Sequence, residues 1–305
     1  MKREKKYHGV VVPMVTPFRE NGSLDEAAAL RIIDHLISGG SSLFLLGTTG
    51  EAASIPFETR LQLVKTATKH INQKTLIYAG ISDNCQDNSL NLVEKFHDLG
   101  VDVFVTHLPS YYPLTAELML KYYETLAEHC SGPIMIYNIK STTNMSIPLE
   151  VIEQLSHHPN IIGLKDSERD LDRLKMLAKM FKDRPDFSLF CGWTAQSAQT
   201  LLIGFDGMVP STANIIPRIF IELYQAASRG DKTTAMQLQI KIDSLVNIHQ
   251  TNMLPTQVIA ALKVIMSEFG FCEPSVLPPL SRLSAEQENQ IKTQLHEIRN
   301  TLHLN

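Results

Sequence analysis

Short apolar runs alternate with longer amphipathic stretches along most of the chain. The apolar runs lie at about 10–17, 42–46, 75–81, 102–106, 133–137, 161–165, 187–191 and 207–210. They show no alternation of polar and apolar positions, which is typical of strands that are buried on both faces. The stretches that follow carry apolar residues at helical spacing, for example at 24–37, 89–99, 116–129 and 171–181. The pattern therefore predicts a strand followed by a helix, eight times in succession.

Eight such units with short connections predict an α/β fold, a (β/α)8 TIM barrel that spans residues 1–230. An open doubly wound sheet is the alternative, but no GxGxxG motif follows the first strand. Beyond residue 230 the pattern is helical only, at 232–249, 256–269 and 285–302. Residues 231–305 are therefore predicted to form a C-terminal helical extension that packs on the barrel.

Composition narrows the classes of function. The 305 residues carry a net charge of −4 with acids and bases well mixed, so we expect no nucleic-acid and no membrane partner. The basic start MKREKKYHG leads into no apolar segment of signal-peptide length. The four cysteines are scattered, as in reduced thiols of a cytoplasmic protein, and no histidine or cysteine cluster suggests a metal site.

In barrels of this kind the active site lies at the carboxyl ends of the strands. Tyr137 and Lys165 end the fifth and sixth predicted strands, and neighbouring strands are about 4.8 Å apart. A phenol and an amine could therefore reach one substrate atom. The lysine either extends out to water along the strand end or sits desolvated beside a pocket, where burial would leave a neutral, nucleophilic amine.

A second candidate lies after the second strand, in the segment Gly47-Thr48-Thr49-Gly50-Glu51. Its backbone N–H groups and two hydroxyls precede a helix, which suits a carboxylate or a phosphate. The alternative is a tight strand-to-helix turn whose glycines supply positive φ. This segment alone does not separate the two interpretations.

Four motifs together resemble the dihydrodipicolinate synthase / N-acetylneuraminate lyase family. They are GTTGE after strand two, YN after strand five, IIGLKDS at strand six and STAN after strand eight. The resemblance covers essentially the whole chain and implies a (β/α)8 barrel and class I, Schiff-base chemistry on 2-oxo acids. It implies no metal and no other cofactor.

The resemblance also implies roles for individual residues. Lys165 would form the imine with pyruvate or a larger 2-oxo acid, Tyr137 would shuttle protons, and Thr48 would hydrogen-bond the phenol. Tyr111 would be lent to a neighbouring subunit's site, which implies a homodimer or a homotetramer. The substrate-binding positions are expected at Thr49 and Gly47 for the carboxylate, Thr142 and Ser167 for hydroxyls, and Gly192, Val209 and Ser211 for the pocket wall.

Some positions depart from known branches of the family. Thr142 stands where the synthase branch has an arginine, and a hydroxyl cannot replace a bidentate guanidinium unless Lys140 does so. Thr194 and Ala195 replace the two acids that follow the strand-seven glycine in the sialate lyase branch. HPNIIGLKDS is closest to the branch acting on 4-hydroxy-2-oxoglutarate and 2-keto-3-deoxy sugar acids.

We therefore expect a Schiff-base lyase, an aldolase or a dehydratase, acting on a small pyruvate-derived 2-oxo acid. The alternatives are 4-hydroxy-tetrahydrodipicolinate (dihydrodipicolinate) synthase, which condenses pyruvate with aspartate semialdehyde, and N-acetylneuraminate lyase. A catalytically silent barrel that binds a 2-oxo acid is a further alternative.

Overall fold

The computed structural model describes residues 5–251 and 253–299. Eight parallel strands close into a barrel in sequence order, with β1 paired to both β2 and β8. The strands are β1 Gly9–Pro13, β2 Ser42–Leu45, β3 Ile77–Gly80, β4 Val103–Thr106, β5 Ile134–Asn138, β6 Ile161–Asp166, β7 Ser188–Cys191 and β8 Gly207–Met208. The predicted (β/α)8 TIM barrel is confirmed.

Helices follow the strands on the outside of the barrel. They are α1 Glu26–Ser38, α2 Phe57–Ile71, α3 Gln86–Asp98, α4 Ala116–His129, α5 Lys140–Thr143, α6 Leu149–Leu155, α7 Leu171–Met180, α8 Ser197–Ile203 and α9 Pro217–Ser228. Three further helices complete the described chain: α10 Lys232–Gln250, α11 Pro255–Glu268 and α12 Ala285–Arg299. The last predicted helix was placed at 285–302, and its final three residues lie outside the described residues.

The core has two parts. A large outer cluster packs the helices onto the strands, and an inner cluster that includes Phe44, Tyr78, Tyr137 and Phe190 fills the barrel. Strands buried on both faces explain why the apolar runs showed no alternation. Among residues 5–251 and 253–299, no helix is long and apolar enough to cross a membrane.

Two local predictions differ from the structure. The first strand was predicted to run to residue 17, but it ends at Pro13, because the N–H of Val15 turns to the side chain of Asn214 at 3.1 Å. The loop predicted at 138–144 contains the short helix α5, which ends at Asn144 with φ of 57°. Asparagine tolerates this left-handed conformation, so no glycine is needed there.

A buried ion pair joins the C-terminal helices to the barrel. Glu51, just after β2, pairs with Lys263 of α11, and both side chains are fully buried. The ammonium of Lys263 also donates to the carbonyl of Ser275, and the second oxygen of Glu51 accepts the N–H of Leu277 at 2.7 Å. The C-terminal segment is thereby fixed against the loop that begins Gly47-Thr48-Thr49.

Candidate active site

The carboxyl ends of β5 and β6 bring an amine and a phenol together. Lys165 and Tyr137 are register partners on the two strands. The Nζ atom of Lys165 lies 3.7 Å from the centroid of the Tyr137 ring and 4.9 Å from that of Phe44. Lys165 is only 4% exposed, so its side chain does not extend out to water. Burial lowers the pKa of Lys165 from its ordinary value, although the neighbouring Tyr137 opposes the shift.

The segment after β2 supplies the groups that face this pair. The hydroxyl of Thr48 lies 3.4 Å from the phenolic oxygen of Tyr137, within reach of a weak hydrogen bond. The N–H groups of Gly50 and Glu51 close the turn onto the carbonyls of Gly47 and Thr48. The N–H groups of Thr48 and Thr49 donate no hydrogen bond within the described residues. Two unengaged donors are therefore available beside the phenol.

The two glycines of this segment are needed for space rather than for positive φ. The left-handed residues are Leu46 and Glu51, with φ of 56° and 58°. A Cβ atom at Gly47 would lie 2.8 Å from the ring of Phe44, and one at Gly50 would lie 3.0 Å from the carbonyl oxygen of Met14. The interpretation that the glycines supply positive φ is therefore wrong.

A cleft of about 1040 Å³ opens above these groups. Many of the predicted site residues line it: Thr48, Thr49, Tyr137, Thr142, Ser167, Gly192 and Ser211. Gly192 adjoins the amine closely, because a Cβ atom there would overlap the hydroxyl of Ser167 and lie 3.2 Å from Cε of Lys165. The volume is ample for a small 2-oxo acid.

Four other predicted residues do not line the cleft of this chain. Lys165 is one of them, because its side chain is buried against the ring of Tyr137, which does line the cleft. Gly47 is buried in the turn, and Val209 lies in the inner barrel cluster together with Tyr137. Tyr111 is 76% exposed, and its ring packs edge-on against that of Tyr112 at a centroid distance of 4.9 Å. Within one protomer, Tyr111 is therefore a surface residue.

Sequence reasoning missed a buried polar network behind the site. We interpreted 168–172 as a solvated helix start, and this is wrong for Glu168, whose side chain is 12% exposed. The amide of Asn138 donates to Asp166 and to Glu168, both at 3.0 Å. Arg173 donates to Asp166 at 2.8 Å. Because Asn138 and Asp166 directly follow Tyr137 and Lys165, the network fixes the ends of both strands.

His107 is a second residue that sequence reasoning missed. It follows β4 directly, and its ring lies edge-on to that of Tyr137 at a centroid distance of 6.1 Å. Its Nδ1 atom lies 2.8 Å from the carbonyl oxygen of Leu108, so Nδ1 carries the proton. Burial lowers the pKa of His107, which keeps the imidazole neutral. Its place at a strand end was the signal that could have identified it.

The far wall of the cleft comes from the C-terminal helices and is mostly apolar. Gln250 of α10 and Met253, Val258 and Ile259 in and before α11 line it, together with Trp193. Apart from Trp193, which lies two residues after β7, these residues are distant in sequence from the strand ends. Only the packing of the tail on the barrel brings them to the site.

The fold and the site together define a (β/α)8 barrel enzyme of the class I lyase type, with a buried lysine beside a tyrosine at the strand ends. The model of the dihydrodipicolinate synthetase family matches residues 6–298. The chain belongs to this family.

The relatives of this chain carry the names of more than one activity. The chain is 32% identical to a 4-hydroxy-tetrahydrodipicolinate synthase of Laribacter hongkongensis, over 94% of this chain and 97% of the relative. It is 28% identical to a probable 2-dehydro-3-deoxy-D-pentonate aldolase of Escherichia coli, over 94% and 96%. The crystal structure of YagE, an Escherichia coli prophage protein of the same family in complex with pyruvate, matches with a TM-score of 0.91 and 26% identity, over 98% of this chain and all of the other.

Proposed function

We propose that this chain is a lyase that forms an imine between Lys165 and a small pyruvate-derived 2-oxo acid, and then cleaves the substrate as an aldolase or removes water as a dehydratase. One observation carries the proposal: the amine of Lys165 is buried, and its Nζ lies 3.7 Å from the centroid of the Tyr137 ring. Burial favours the neutral amine, which is the form that attacks a carbonyl.

The unengaged N–H groups of Thr48 and Thr49 suit the substrate carboxylate, because two backbone donors and a hydroxyl can hold an anion without a cation. A carboxylate held there would aim the adjacent ketone at Lys165. The amine attacks the ketone carbon, and the ketone oxygen takes up one proton from the amine and one from solvent and leaves as water. The resulting protonated imine accepts the electron pair of the bond that breaks next.

In the aldolase reaction, the C3–C4 bond breaks and its electrons form an enamine. The proton of the C4 hydroxyl passes to the oxygen of Tyr137, which passes its own proton on towards Thr48, 3.4 Å away. An aldehyde leaves, Tyr137 returns a proton to C3 of the enamine, and water hydrolyses the imine. This last step releases pyruvate and restores Lys165.

Tyr111 is proposed to complete the site of a second subunit. Tyr111 and Tyr112 are 76% and 70% exposed, and a pair of bare aromatic rings suits a protein interface. A homodimer or a homotetramer is therefore proposed.

A cytoplasmic location is proposed from the cysteines. All four cysteines are free thiols, which supports a reducing compartment such as the cytoplasm.

Reduction with borohydride in the presence of pyruvate tests the proposal. We expect one stable pyruvate-derived mass on Lys165 and none in the variant Lys165→Ala. Lys263 is an internal control in the same digest, because it is also buried but is paired with Glu51 away from the cleft. Absence of an adduct at saturating pyruvate would refute the proposal. A panel of 2-oxo acids, scored for release of pyruvate or water, then separates aldolase from dehydratase.

Synthase activity is the second candidate, because the relative at 32% identity carries that name. Against it, Thr142 lines the cleft where the synthase branch has an arginine, and the ammonium of Lys140 lies 3.3 Å from Glu168. Lys140 is therefore already engaged. Turnover of pyruvate with aspartate semialdehyde in a coupled assay would favour the synthase instead.

A further inference from the structure

The charged side chains that line the cleft are almost all paired with one another. Glu168 accepts hydrogen bonds from Ser146 and Asn138, and it pairs with Lys140 at 3.3 Å. The negative charge of Glu168 and the positive charge of Lys140 therefore balance each other.

The two aspartates of the cleft are engaged in the same way. Asp170 caps helix α7 and accepts the N–H groups of Asp172 and Arg173, at 2.9 and 3.0 Å. Asp172 pairs with Lys175 at 2.9 Å. A carboxylate that accepts such bonds is a weaker partner for a further cation.

Arg169 is the exception. It lines the cleft and is exposed, and its guanidinium makes no hydrogen bond or ion pair within residues 5–251 and 253–299. It follows Lys165 by four residues, and four extended residues span at most about 14 Å. A guanidinium presents paired N–H donors that match both oxygens of a carboxylate. Among the described residues that line the cleft, Arg169 is thus the one cation without a partner.

The wall formed by the C-terminal helices offers few partners for a polyhydroxylated tail. Met253, Val258 and Ile259 present apolar surface to the cleft, as does Trp193 from the loop after β7, and Gln250 is the polar side chain of this wall. A polyol tail that lay along this wall would find few hydrogen-bond partners there.

We infer that Arg169 recognises a second carboxylate at the distal end of the substrate, so that the substrate class is a 2-oxo diacid such as 4-hydroxy-2-oxoglutarate. This inference rests on the proposed function, because it assumes that Lys165 holds the ketone end. It selects against a monocarboxylate with an uncharged polyol tail, such as a 2-keto-3-deoxy sugar acid.

Imine trapping with three probes tests the inference without requiring turnover. The probes are pyruvate, 2-oxoglutarate, and 2-oxopentanoate, which has the same five-carbon chain with an uncharged end. Borohydride trapping on Lys165 is measured against the concentration of each probe. We expect 2-oxoglutarate to reach half-saturation at about tenfold lower concentration than 2-oxopentanoate, the size of one charge-assisted contact at an exposed site. The preference should weaken with added salt.

Variants assign the preference to one residue. Arg169→Gln should remove the advantage of 2-oxoglutarate and leave pyruvate unchanged, and Arg169→Lys should retain part of it. Lys179→Gln is the matched control, because Lys179 is an exposed cation on the adjoining helix that does not line the cleft. It should leave the trapping of all three probes as in the wild type.

The possible failures are distinguishable. If pyruvate is trapped but the wild type shows no preference for 2-oxoglutarate, or if Arg169→Gln weakens all three probes equally, the inference is overturned and the proposed function stands. If no probe is trapped on Lys165, the proposed function fails and this inference fails with it.

Discussion

Replacement of Tyr137 by phenylalanine isolates the phenolic hydroxyl from the ring that covers the amine. The ring contributes the contact with Lys165, at 3.7 Å from Nζ to centroid, and this contact is kept in Tyr137→Phe. The hydroxyl contributes one long hydrogen bond with the exposed residue Thr48, at 3.4 Å. Loss of that bond should cost less than about 1 kcal/mol of folding free energy. The variant should therefore fold, and its lysine should remain buried.

The effect on catalysis should be far larger than the effect on stability. Removal of a group that transfers protons typically slows a reaction by about 10²–10⁴-fold, or about 3–5 kcal/mol of activation free energy. Tyr137→Phe should therefore still give a borohydride adduct with pyruvate on Lys165, while kcat for pyruvate release falls by that factor. Mass spectrometry measures the adduct, and a lactate dehydrogenase coupled assay measures kcat.

Tyr78→Phe is the matched control. Tyr78 also lies inside the barrel, and its hydroxyl is buried with no hydrogen-bond partner among the described residues. This substitution removes the same atom from the same core and should leave kcat unchanged. If Tyr137→Phe has the kcat of the wild type, the proton-transfer role of Tyr137 is refuted. If it forms no adduct, the hydroxyl acts in imine formation instead.

Three further predictions concern the packing around the site. Gly192→Ala would place a methyl group on the hydroxyl of Ser167 and close to Cε of Lys165. Imine trapping should slow by about 10²-fold, because the reacting amine would be displaced. Unchanged trapping would contradict this contact. Glu51→Gln should lower the free energy of unfolding in urea by about 3–5 kcal/mol, because it leaves the ammonium of Lys263 buried without its counter-charge; a neutral effect would argue against the pair. Burial lowers the pKa of His249 to about 4, so the unfolded chain takes up this proton below about pH 6.5 while the folded chain does not. Through this residue, the free energy of unfolding should fall by about 3 kcal/mol as the pH drops from 6.5 to 4. Urea unfolding at several pH values measures this dependence, and His249→Gln should make it weaker. The same pH dependence in the variant and the wild type would contradict the prediction.

The barrel was predictable because its strands are buried on both faces. Residues 133–137 and 161–165 read as continuous apolar runs for the same reason that Ile134–Asn138 and Ile161–Asp166 are central strands of a closed sheet. Tyr137 and Lys165 could be placed next to each other from strand order alone, because successive strands in such a barrel are neighbours. The four motifs supplied the family.

Glu168 shows where sequence reasoning stopped. In a run of charged residues it looked like part of a solvated helix start, yet it is nearly buried among Ser146, Asn138 and Arg173. Its burial depends on partners at and after the end of β5 and on α7, and no local pattern in the sequence predicts these contacts. His107 was overlooked for a similar reason, because its ring contacts that of Tyr137 only when β4 and β5 lie side by side in the barrel.

The order of residues along this chain predicted the strands and the helices, because the periodicity of apolar positions is a local property of a sequence. It also placed Tyr137 and Lys165 at neighbouring strand ends. Only the folded barrel decided that burial disfavours the ammonium form of Lys165. It also decided that, within residues 5–251 and 253–299, the N–H groups of Thr48 and Thr49 donate no hydrogen bond and Arg169 has no partner. Desolvation and charge pairing depend on every group within a few ångströms, and those groups come from segments far apart in the chain.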